Sequence, residues 1–256
     1  LLSLRPSQLQ KLPFHPDAVL NQIQQTVIRQ QARFESIFHD EIIPELEREG
    51  IEIINESQVL PGEDEYLRSL FKTQIFPFLT PIMASDTKRT PHIKDAYIYL
   101  AIKMYKRTDD NDFRYALIEL PTKVCPRFFV LPQRGETRRV MLLDDVVRFN
   151  LRSIFAMFDY EQYDAYTIKI TRDQELDLEN DLSESLLEKI KTSLRDRKKG
   201  DPVRFIYDTS MPLDLLQFLI RRLDLDKSNL IPGGRYHNFS DFMDFPDLGR
   251  SDLKYE

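Results

Sequence analysis

The sequence predicts an α+β fold, in which a long amphipathic N-terminal helix is followed by a mostly antiparallel sheet with helices packed on it. Three observations support this prediction. Apolar residues recur at helical spacing between residues 16 and 49, β-rich runs follow one another between residues 96 and 142, and strand and helix patterns alternate from residue 164 onward.

The first predicted element is a helix from Pro16 to Glu49, in which apolar residues mostly recur at steps of four. Pro44 removes a backbone donor and predicts a bend, and Gly50 suits the position that follows a helix. The alternating run "IEIIN" then predicts a short strand, and "PGED" opens a second helix that ends near Phe76. The chain is therefore largely helical before residue 92.

The middle of the chain changes to the period of β-strands. Two β-rich runs, 96–107 and 113–121, flank the polar cluster "TDDND" and predict an antiparallel hairpin. "PRFFVLP" and "RRVMLL" predict two shorter strands. Residues 144–155 return to helical spacing and begin with two acidic residues, which suit a helix N-terminus.

The last part of the chain alternates strands and helices. "DAYTIKITRD" and "PVRFIYD" predict strands, and residues 181–200 and 209–223 predict helices. Asp181 and Glu184 have the spacing of a capping box. Ser210 is the predicted N-cap of the final helix, with Pro212 in its first turn.

The composition limits the possible functions. Of 256 residues, 41% are hydrophobic and 30% are charged, and the net charge of −6 argues against a nucleic-acid partner. No apolar run reaches the ~18 residues that a membrane-spanning helix requires. The single cysteine, Cys125, excludes an internal disulfide and is predicted to be a buried thiol. Without a signal-peptide pattern we expect a cytoplasmic protein, with peripheral attachment to the membrane as an alternative.

The sequence has no local motif for nucleotide or metal chemistry. It contains seven glycines and lacks the pattern G-x-x-x-x-G-K-[ST], which excludes a Walker-type phosphate loop. The four histidines, His15, His39, His92 and His237, have none of the spacings typical of zinc sites. The sequence therefore predicts no metal site.

The stretch "IPGGRYHNFSDFMDF" allows two interpretations. Adjacent glycines at φ > 0 could present backbone N–H groups to an anion, with Arg235 and His237 as further phosphate donors. The same residues fit a tight turn, followed by Asn238 or Ser240 as the cap of a helix. The residue types alone favour the turn.

Three further basic residues are candidates for contact with an anion. Lys198 and Lys199 close the basic run "KIKTSLRDRKKG", and Arg172 lies at the end of a predicted strand. The basic run also fits the end of a helix, where cations complement the macrodipole. Arg172 also fits an ion pair with Asp173 or Asp177, so both interpretations stay open.

The order of the motifs resembles the middle, or head, domain of the long-chain bacterial polyphosphate kinases. The helix from Pro16 to Gly50 and "IEIINESQ" resemble the end of the helical N-terminal domain in that family and its junction with the head. The resemblance spans nearly the whole chain. It rests on six segments in series: "FPFLTPIM", "FRYALIELPTKVCPRFFVLP", "LLDDVVRFNLRSIF", "YTIKITRDQELDLENDLSESLLEKI", "DPVRFIYDTSMP" and "IPGGRYHNFSDFMDFPDLG".

The resemblance implies a parent enzyme that reversibly transfers the terminal phosphate of ATP to polyphosphate through a phosphohistidine, with magnesium. In that family the catalytic residues belong to C-terminal domains, which the resemblance places after the end of this sequence. No catalytic position maps onto a residue here, and His237 is not the phosphorylated histidine. We therefore expect a piece of a longer protein that is inactive alone and binds neither ATP nor magnesium by itself.

The resemblance also implies a domain division and partners. Residues 1–50 would be the C-terminal part of the helical N-terminal domain, and 51–256 the α+β middle domain. The expected partners are polyphosphate and a second copy of the chain, in a homodimer or higher oligomer. The candidate polyphosphate contacts are Arg172, Lys198, Lys199, Arg235 and His237.

Two other functions compete with this one. The chain could be a free-standing interaction module that binds a protein partner through the apolar stripe of its N-terminal helix. RNA binding would require stacking aromatics beside a basic stripe. Tyr97, Tyr99 and Tyr105 share one strand face by period-2 spacing, but the acidic net charge argues against this use.

Overall fold

The computed structural model describes residues 15–84, 93–107, 109–133, 135–172 and 202–253. The predicted helix 181–200, with the capping pair Asp181 and Glu184 and the candidates Lys198 and Lys199, lies outside these ranges. The outcome of those predictions is therefore open, and the fold is described for the remaining residues.

The long N-terminal helix is confirmed, with an irregular segment in its second half. It consists of α1 (Pro16–Ser36), a π-helical stretch (Ile37–Ile42) and α2 (Ile43–Arg48). The backbone N–H of Ile43 donates to the carbonyl of Phe38, five residues earlier. Pro44 has no N–H to donate, so the predicted irregularity near this proline takes the form of a wider helical turn just before it.

The described residues form nine strands in two sheets. Their orders are β1-β6-β5 and β2-β4-β3-β7-β8-β9, and only β1 with β6 and β8 with β9 are parallel among the described strand pairs. The prediction of a mostly antiparallel sheet is confirmed. The strands are β1 (Ile51–Ile54), β2 (Pro81–Ala84), β3 (Ile98–Lys106), β4 (Asp109–Glu119), β5 (Phe128–Val130), β6 (Arg138–Leu142), β7 (Gln162–Arg172), β8 (Pro202–Asp208) and β9 (Leu230–Gly233).

The other helices follow the predicted order. The helix predicted for 144–155 divides at Asn150, whose side chain donates to the carbonyl of Val146 over 2.8 Å. Short 3₁₀ turns connect several elements, and one of them, Phe239–Asp244, replaces the helix predicted after Asn238. The helices are α3 (Glu63–Leu70, continued by a π-helical turn, Phe71–Ile75), α4 (Leu143–Phe149), α5 (Leu151–Ile154) and α6 (Leu213–Leu223).

The predicted cap of the last helix is wrong. α6 begins at Leu213, and the residue before it is Pro212, which is extended and makes no side-chain cap. The hydroxyl of Ser210 donates instead to Oδ1 of Asp208 over 2.6 Å, and its backbone N–H donates to the same oxygen over 2.9 Å. Ser210 thus belongs to a turn closed by the Asp208 side chain, because the proline separates it from the helix.

Both faces of the six-stranded sheet are buried. Leu100 and Ile102 of β3 pack toward α3, α4, α5 and the small sheet, whereas Tyr99 and Ala101 pack toward α6. A third core around Phe38 joins the N-terminal helix to the small sheet and to the Phe239–Asp244 turn. This third core positions the loop that carries the candidate site.

The N-terminal helix also covers the edge of the larger sheet. Nε2 of Gln24 in α1 donates to the backbone carbonyl of Leu230 in β9 over 3.3 Å. The ring of Phe34 lies 4.8 Å from that of Phe239, and the ring of Phe38 lies 5.1 Å from it. The N-terminal helix therefore packs on the rest of the fold through part of its apolar stripe.

Candidate functional site

The loop from Gly233 to Asn238, here the 233–238 loop, contains two glycines for a steric reason. A Cβ at Gly233 would lie 2.8 Å from Cγ2 of Ile206, and a Cβ at Gly234 would collide with the carboxylate of Glu35. Neither glycine adopts a positive φ, whereas Asn238 does, at 60°. The interpretation in which glycines at φ > 0 present their N–H groups to an anion, which the sequence favoured less than a turn, is therefore wrong, because both glycines are explained by close packing.

The backbone of Gly234 interacts with a carboxylate of the same chain. Glu35, at the end of α1, accepts a hydrogen bond from this backbone. Burial raises the pKa of Glu35, while His39 and this hydrogen bond oppose the rise. The loop thus does have an anion-binding backbone group, and its occupant in this structure is Glu35.

Arg235 is held by two acidic residues. Its Nη2 donates to Oδ1 of Asp145 over 2.7 Å and also pairs with Glu56. Burial alone lowers the pKa of Arg235, but these two carboxylates raise it above its ordinary value. For Glu56, an acid, burial raises the pKa, and the neighbouring negative charge of Asp145 adds to that rise.

Asp145 is fully buried at the start of α4 and is the centre of this network. It accepts hydrogen bonds from Nη1 of Arg148 over 2.8 Å and from the hydroxyl of Tyr236 over 2.6 Å. Burial alone would raise the pKa of Asp145, but Arg148 and Arg235 hold it below its ordinary value. A carboxylate bound by this many donors is suited to fixing the 233–238 loop rather than to accepting a proton.

A second buried ion pair supports the loop from the other side. Arg127 pairs with Asp144, and its Nε lies 3.0 Å from Oδ2 of Asp241. Its Nη2 also donates to the backbone carbonyl of His237 over 3.3 Å. Both adjacent acidic residues of α4 are therefore used to hold one loop, which explains why they are buried.

His237 is buried and uncharged. Its exposed fraction is 7%, and burial, with Lys169 next in importance, lowers its pKa to about 3. Within the described ranges neither ring nitrogen makes a hydrogen bond of normal length and angle, although the nearby backbone of Gly234 slightly opposes the fall in pKa. At neutral pH the ring therefore offers one N–H donor that has no strong acceptor.

A cavity of about 230 Å³ lies between α1, the end of the larger sheet and the 233–238 loop. Two cations line it, Lys169 on β7 and Arg204 on β8, together with the ring of His237. Burial lowers the pKa of both cations, and for Lys169 the neighbouring charge of Arg204 lowers it further. The other lining residues are Gln31, Phe34, Ile206, Tyr236, Asn238 and Phe239. We call this cavity the cationic pocket.

Sequence reasoning identified only part of this pocket. His237 lines it, but Lys169 and Arg204 were not among the predicted site residues. The sequence does contain a signal for Lys169. In "YTIKIT" the buried residues Ile168 and Ile170 alternate with polar residues, and the structure covers this strand on both faces. A lysine on the second face of such a strand indicates a polar site.

Arg235 and Arg172 are not among the residues that line the pocket, and Lys198 and Lys199 lie outside the described ranges. Arg235 is adjacent to the pocket in the loop, but its side chain is directed to Asp145 and Glu56. Arg172 ends β7, where its backbone N–H donates to Oδ1 of Asp95 over 2.8 Å. Contact of Arg172, Lys198, Lys199, Arg235 or His237 with polyphosphate stays a prediction.

The described residues contain neither a metal-binding cluster nor a membrane-spanning helix. Among the described residues, no three His, Cys, Asp or Glu side chains are grouped closely enough to hold a metal ion, so no step through magnesium is assigned to them. No helix in the described ranges is long and apolar enough to cross a membrane. Cys125 is buried, and its thiol donates to the carbonyl of Gln74 over 3.3 Å.

A family model, relatives of known name and a solved structure all relate this chain to the same family. Residues 62–245 match the family described as "Polyphosphate kinase middle domain". Relatives named polyphosphate kinase include that of Escherichia coli strain K12, 37% identical over 244 residues, and that of Vibrio cholerae, 39% identical over 241 residues. These alignments cover 93% and 92% of this chain, but only 35% and 34% of the relatives.

A solved structure is similar over nearly the whole chain. It is the crystal structure of polyphosphate kinase from Porphyromonas gingivalis, with a TM-score of 0.75 and 30% sequence identity. The match covers 96% of this chain and 34% of that chain. The chain thus spans about a third of the length of the proteins that it resembles.

Proposed function

Because the chain belongs to the polyphosphate kinase family, we propose that it is the head domain of an enzyme that transfers the terminal phosphate of ATP reversibly to polyphosphate through a phosphohistidine. The family match over residues 62–245 is the observation that carries the proposal. The relatives are named polyphosphate kinase, and the activity of the whole protein is inferred from them.

Within that enzyme we assign this chain to architecture. Residues 1–50 would end the helical N-terminal domain, and 51–256 would form the middle domain. The buried pairs of Asp144 with Arg127 and of Asp145 with Arg148 support the assignment, because they use charged groups to fix a loop. ATP and magnesium would be bound by the parent enzyme, and no described residue is proposed to react with them.

Two further properties belong to the same proposal. The domain would contribute to a homodimer or higher oligomer, and it would line part of the polyphosphate path through basic residues. Exposed apolar side chains support the first, notably Phe76 and Phe78, whose exposed fractions are 47% and 53%. Sedimentation velocity over a range of concentrations measures self-association directly.

The activity is tested with a chimera. Residues 62–245 replace the matching segment of the Escherichia coli enzyme, and incorporation of label from γ-labelled ATP into polyphosphate is measured with magnesium present. We expect the chimera to incorporate label and this chain alone to incorporate none. Incorporation by the chain alone would contradict the assigned architectural role, and a folded but inactive chimera would contradict the family function.

The interaction-module hypothesis keeps one specific observation in its favour. Leu20 and Ile23 of α1 have exposed fractions of 40% and 54%, so part of the apolar stripe is uncovered. A protein partner on this stripe would protect α1 from hydrogen exchange. The chimera experiment separates the two hypotheses, because a free-standing module would not restore phosphate transfer.

A further inference from the structure

The cationic pocket has an excess of positive charge and of unused donors. Its lining contains Lys169 and Arg204 but no Asp or Glu among the described residues. Nε of Arg204 is buried and has no hydrogen-bond partner in the described part of the chain. Lys169 donates to Oδ1 of Asn238, a neutral acceptor. Buried donors without acceptors are costly, so their retention at one place calls for an explanation.

The backbone places the two cations together. In the antiparallel pairing of β7 with β8, Lys169 lies opposite Ile206 and Thr171 lies opposite Arg204. Lys169 and Arg204 are thus diagonal neighbours on one face of the sheet. Phe205 points to the other face and packs in the α6 core. Two like charges on adjacent positions of one face repel each other unless an anion lies between them.

The acidic residues near the pocket are already bound to other groups. Asp95, whose charge opposes the lowering of the Lys169 pKa by burial as that of Asp241 does, accepts a hydrogen bond from the backbone N–H of Arg172. Glu35 accepts a hydrogen bond from the backbone of Gly234. Asp241 lies 3.0 Å from Nε of Arg127. None of these three residues is among the described lining residues of the cavity, so they reduce the net charge of the region without supplying an acceptor inside it.

We infer that the cationic pocket binds a single phosphoryl-type oxyanion. Lys169 and Arg204 supply the charge, and the N–H groups of His237 and of the Gln31 amide supply neutral donors. Gln31 belongs to α1, so the bound anion would join the N-terminal helix to the sheet. An uncharged His237 suits this role, because it adds a donor without a third positive charge.

The size of the cavity restricts the ligand. The volume of the cavity is about 230 Å³. Pockets for drug-sized ligands usually have about 300–1,000 Å³, so a nucleotide is too large for complete burial here. A phosphate ion, or the terminal group of a polyphosphate chain that continues into solvent, fits.

The choice of a phosphoryl group among oxyanions rests on the proposed function. Free inorganic phosphate and the end of a polyphosphate chain share the required chemistry. The two sources are distinguished by titrating this chain with inorganic phosphate and with tripolyphosphate at low salt, in isothermal calorimetry. Tighter binding of tripolyphosphate would indicate a chain-end site, and equal binding would indicate a site for the free ion.

Variants of the cations test the site itself. We expect Arg204→Gln and Lys169→Gln each to weaken phosphate and tripolyphosphate binding at least tenfold, and Arg204→Lys to weaken it less. Arg114→Gln is the matched control, because Arg114 is exposed on β4 and lines a different groove with Asp214 and Arg221. Circular dichroism and thermal melting confirm that each variant is folded.

Two outcomes would overturn the inference. One is the absence of measurable binding of either ligand to the folded chain at low salt, and the other is binding that both pocket variants leave unchanged. The nitrogen resonances of His237, followed by NMR, give a second readout that should shift on addition of phosphate. Because these measurements need no catalysis, failure here leaves the chimera test of phosphate transfer unaffected.

Discussion

The carboxylate of Glu35 lies at the place where a side chain on Gly234 would begin. The tip of the Glu35 side chain, at the end of the N-terminal helix, therefore touches the backbone of the 233–238 loop, and a side chain at position 234 would displace this carboxylate. Phe34 and Phe38, on either side of Glu35, pack against Phe239 in the turn that follows the loop, with tilted and edge-on ring contacts. The helix and the loop thus form one packed unit, and each holds the other in place.

We predict that Gly234→Ala destabilises the chain by about 1 kcal/mol, the low end of the usual range for extra atoms forced into a packed site, because the flexible side chain of Glu35 can move away. The added Cβ collides with the carboxylate of Glu35, so this side chain must rotate away and give up its contact with the backbone of Gly234. Urea unfolding followed by circular dichroism gives the free energy of unfolding.

A double-mutant cycle with Glu35→Ala isolates this contact. Removing the carboxylate relieves the collision but also removes the acceptor for the Gly234 backbone. We expect the double variant to be more stable than the sum of the two single changes indicates. Simple additivity would show that the collision does not determine the cost.

His237 makes stability depend on pH. Its pKa falls from 6.5 in the unfolded chain to about 3 in the folded one, so between these values only the unfolded state is protonated. The free energy of unfolding should fall by about 1.4 kcal/mol for each pH unit of acidification in this window, as far as His237 contributes. Above the unfolded pKa of 6.5 this loss of stability is absent, because His237 is uncharged in both states.

The measurement compares the wild type with His237→Gln between pH 4.5 and 6.5. Nearby carboxylates, among them Glu35 and Glu56 with their raised pKa values, titrate in both proteins. The difference between the two stability curves therefore reports His237. Parallel curves would mean that the imidazole is accessible to protons in the folded state.

The sequence was sufficient to predict elements with strong local patterns. The steps of four after Pro16 and the alternation around Ile168 and Ile170 predicted a helix and a strand that the structure contains. Ser210 was misassigned because a serine before a helical pattern is a common cap. Its actual partner, Asp208, became evident only from the local fold.

The cationic pocket could be predicted only in part. Lys169 and Arg204 belong to different strands, and Gln31 comes from a helix far earlier in the chain. Their approach depends on the pairing of β7 with β8 and on the packing of α1, both of which are long-range. The glycine pair did indicate an unusual loop, but its reason was close packing against Glu35 rather than φ > 0.

Arg235→Met should destabilise the chain by about 2 kcal/mol. The change leaves Glu56 without its partner and removes one of the guanidinium groups that hold buried Asp145. Loss of one member of a buried pair usually costs about 3–5 kcal/mol, and the cost is smaller here because Arg148 still binds Asp145.

Chemical unfolding of Arg235→Met and Arg114→Gln provides the comparison, because Arg114 is exposed. A near-neutral Arg235→Met would contradict the structural role of this arginine. It would also strengthen the prediction that Arg235 contacts polyphosphate, because the guanidinium would then be available for a ligand.

Lys169→Met is expected to increase stability while abolishing binding of the oxyanion. Burial lowers the pKa of Lys169, so the folded chain carries a disfavoured charge at every pH below that lowered pKa. The cost in stability of burying this charge falls as the pH rises from the lowered pKa toward the ordinary value of 10.5. Over this range Lys169 is already deprotonated in the folded chain and becomes deprotonated in the unfolded chain as well. The gain from the methionine should therefore be full at neutral pH and should shrink in alkaline solution.

Lys103→Met is the matched control for this change. Lys103 is also a lysine on a strand of the larger sheet, but its Nζ lies 2.5 Å from Oδ2 of Asp214. Replacing it removes an ion pair and should lower the urea midpoint, whereas Lys169→Met should raise it. Opposite shifts in the two variants would show that Lys169 is kept at a cost in stability, as expected for a residue that serves a ligand. A lower midpoint in both would mean that Lys169 is a structural residue, and that its bond to Asn238 matters more than its unpaired charge.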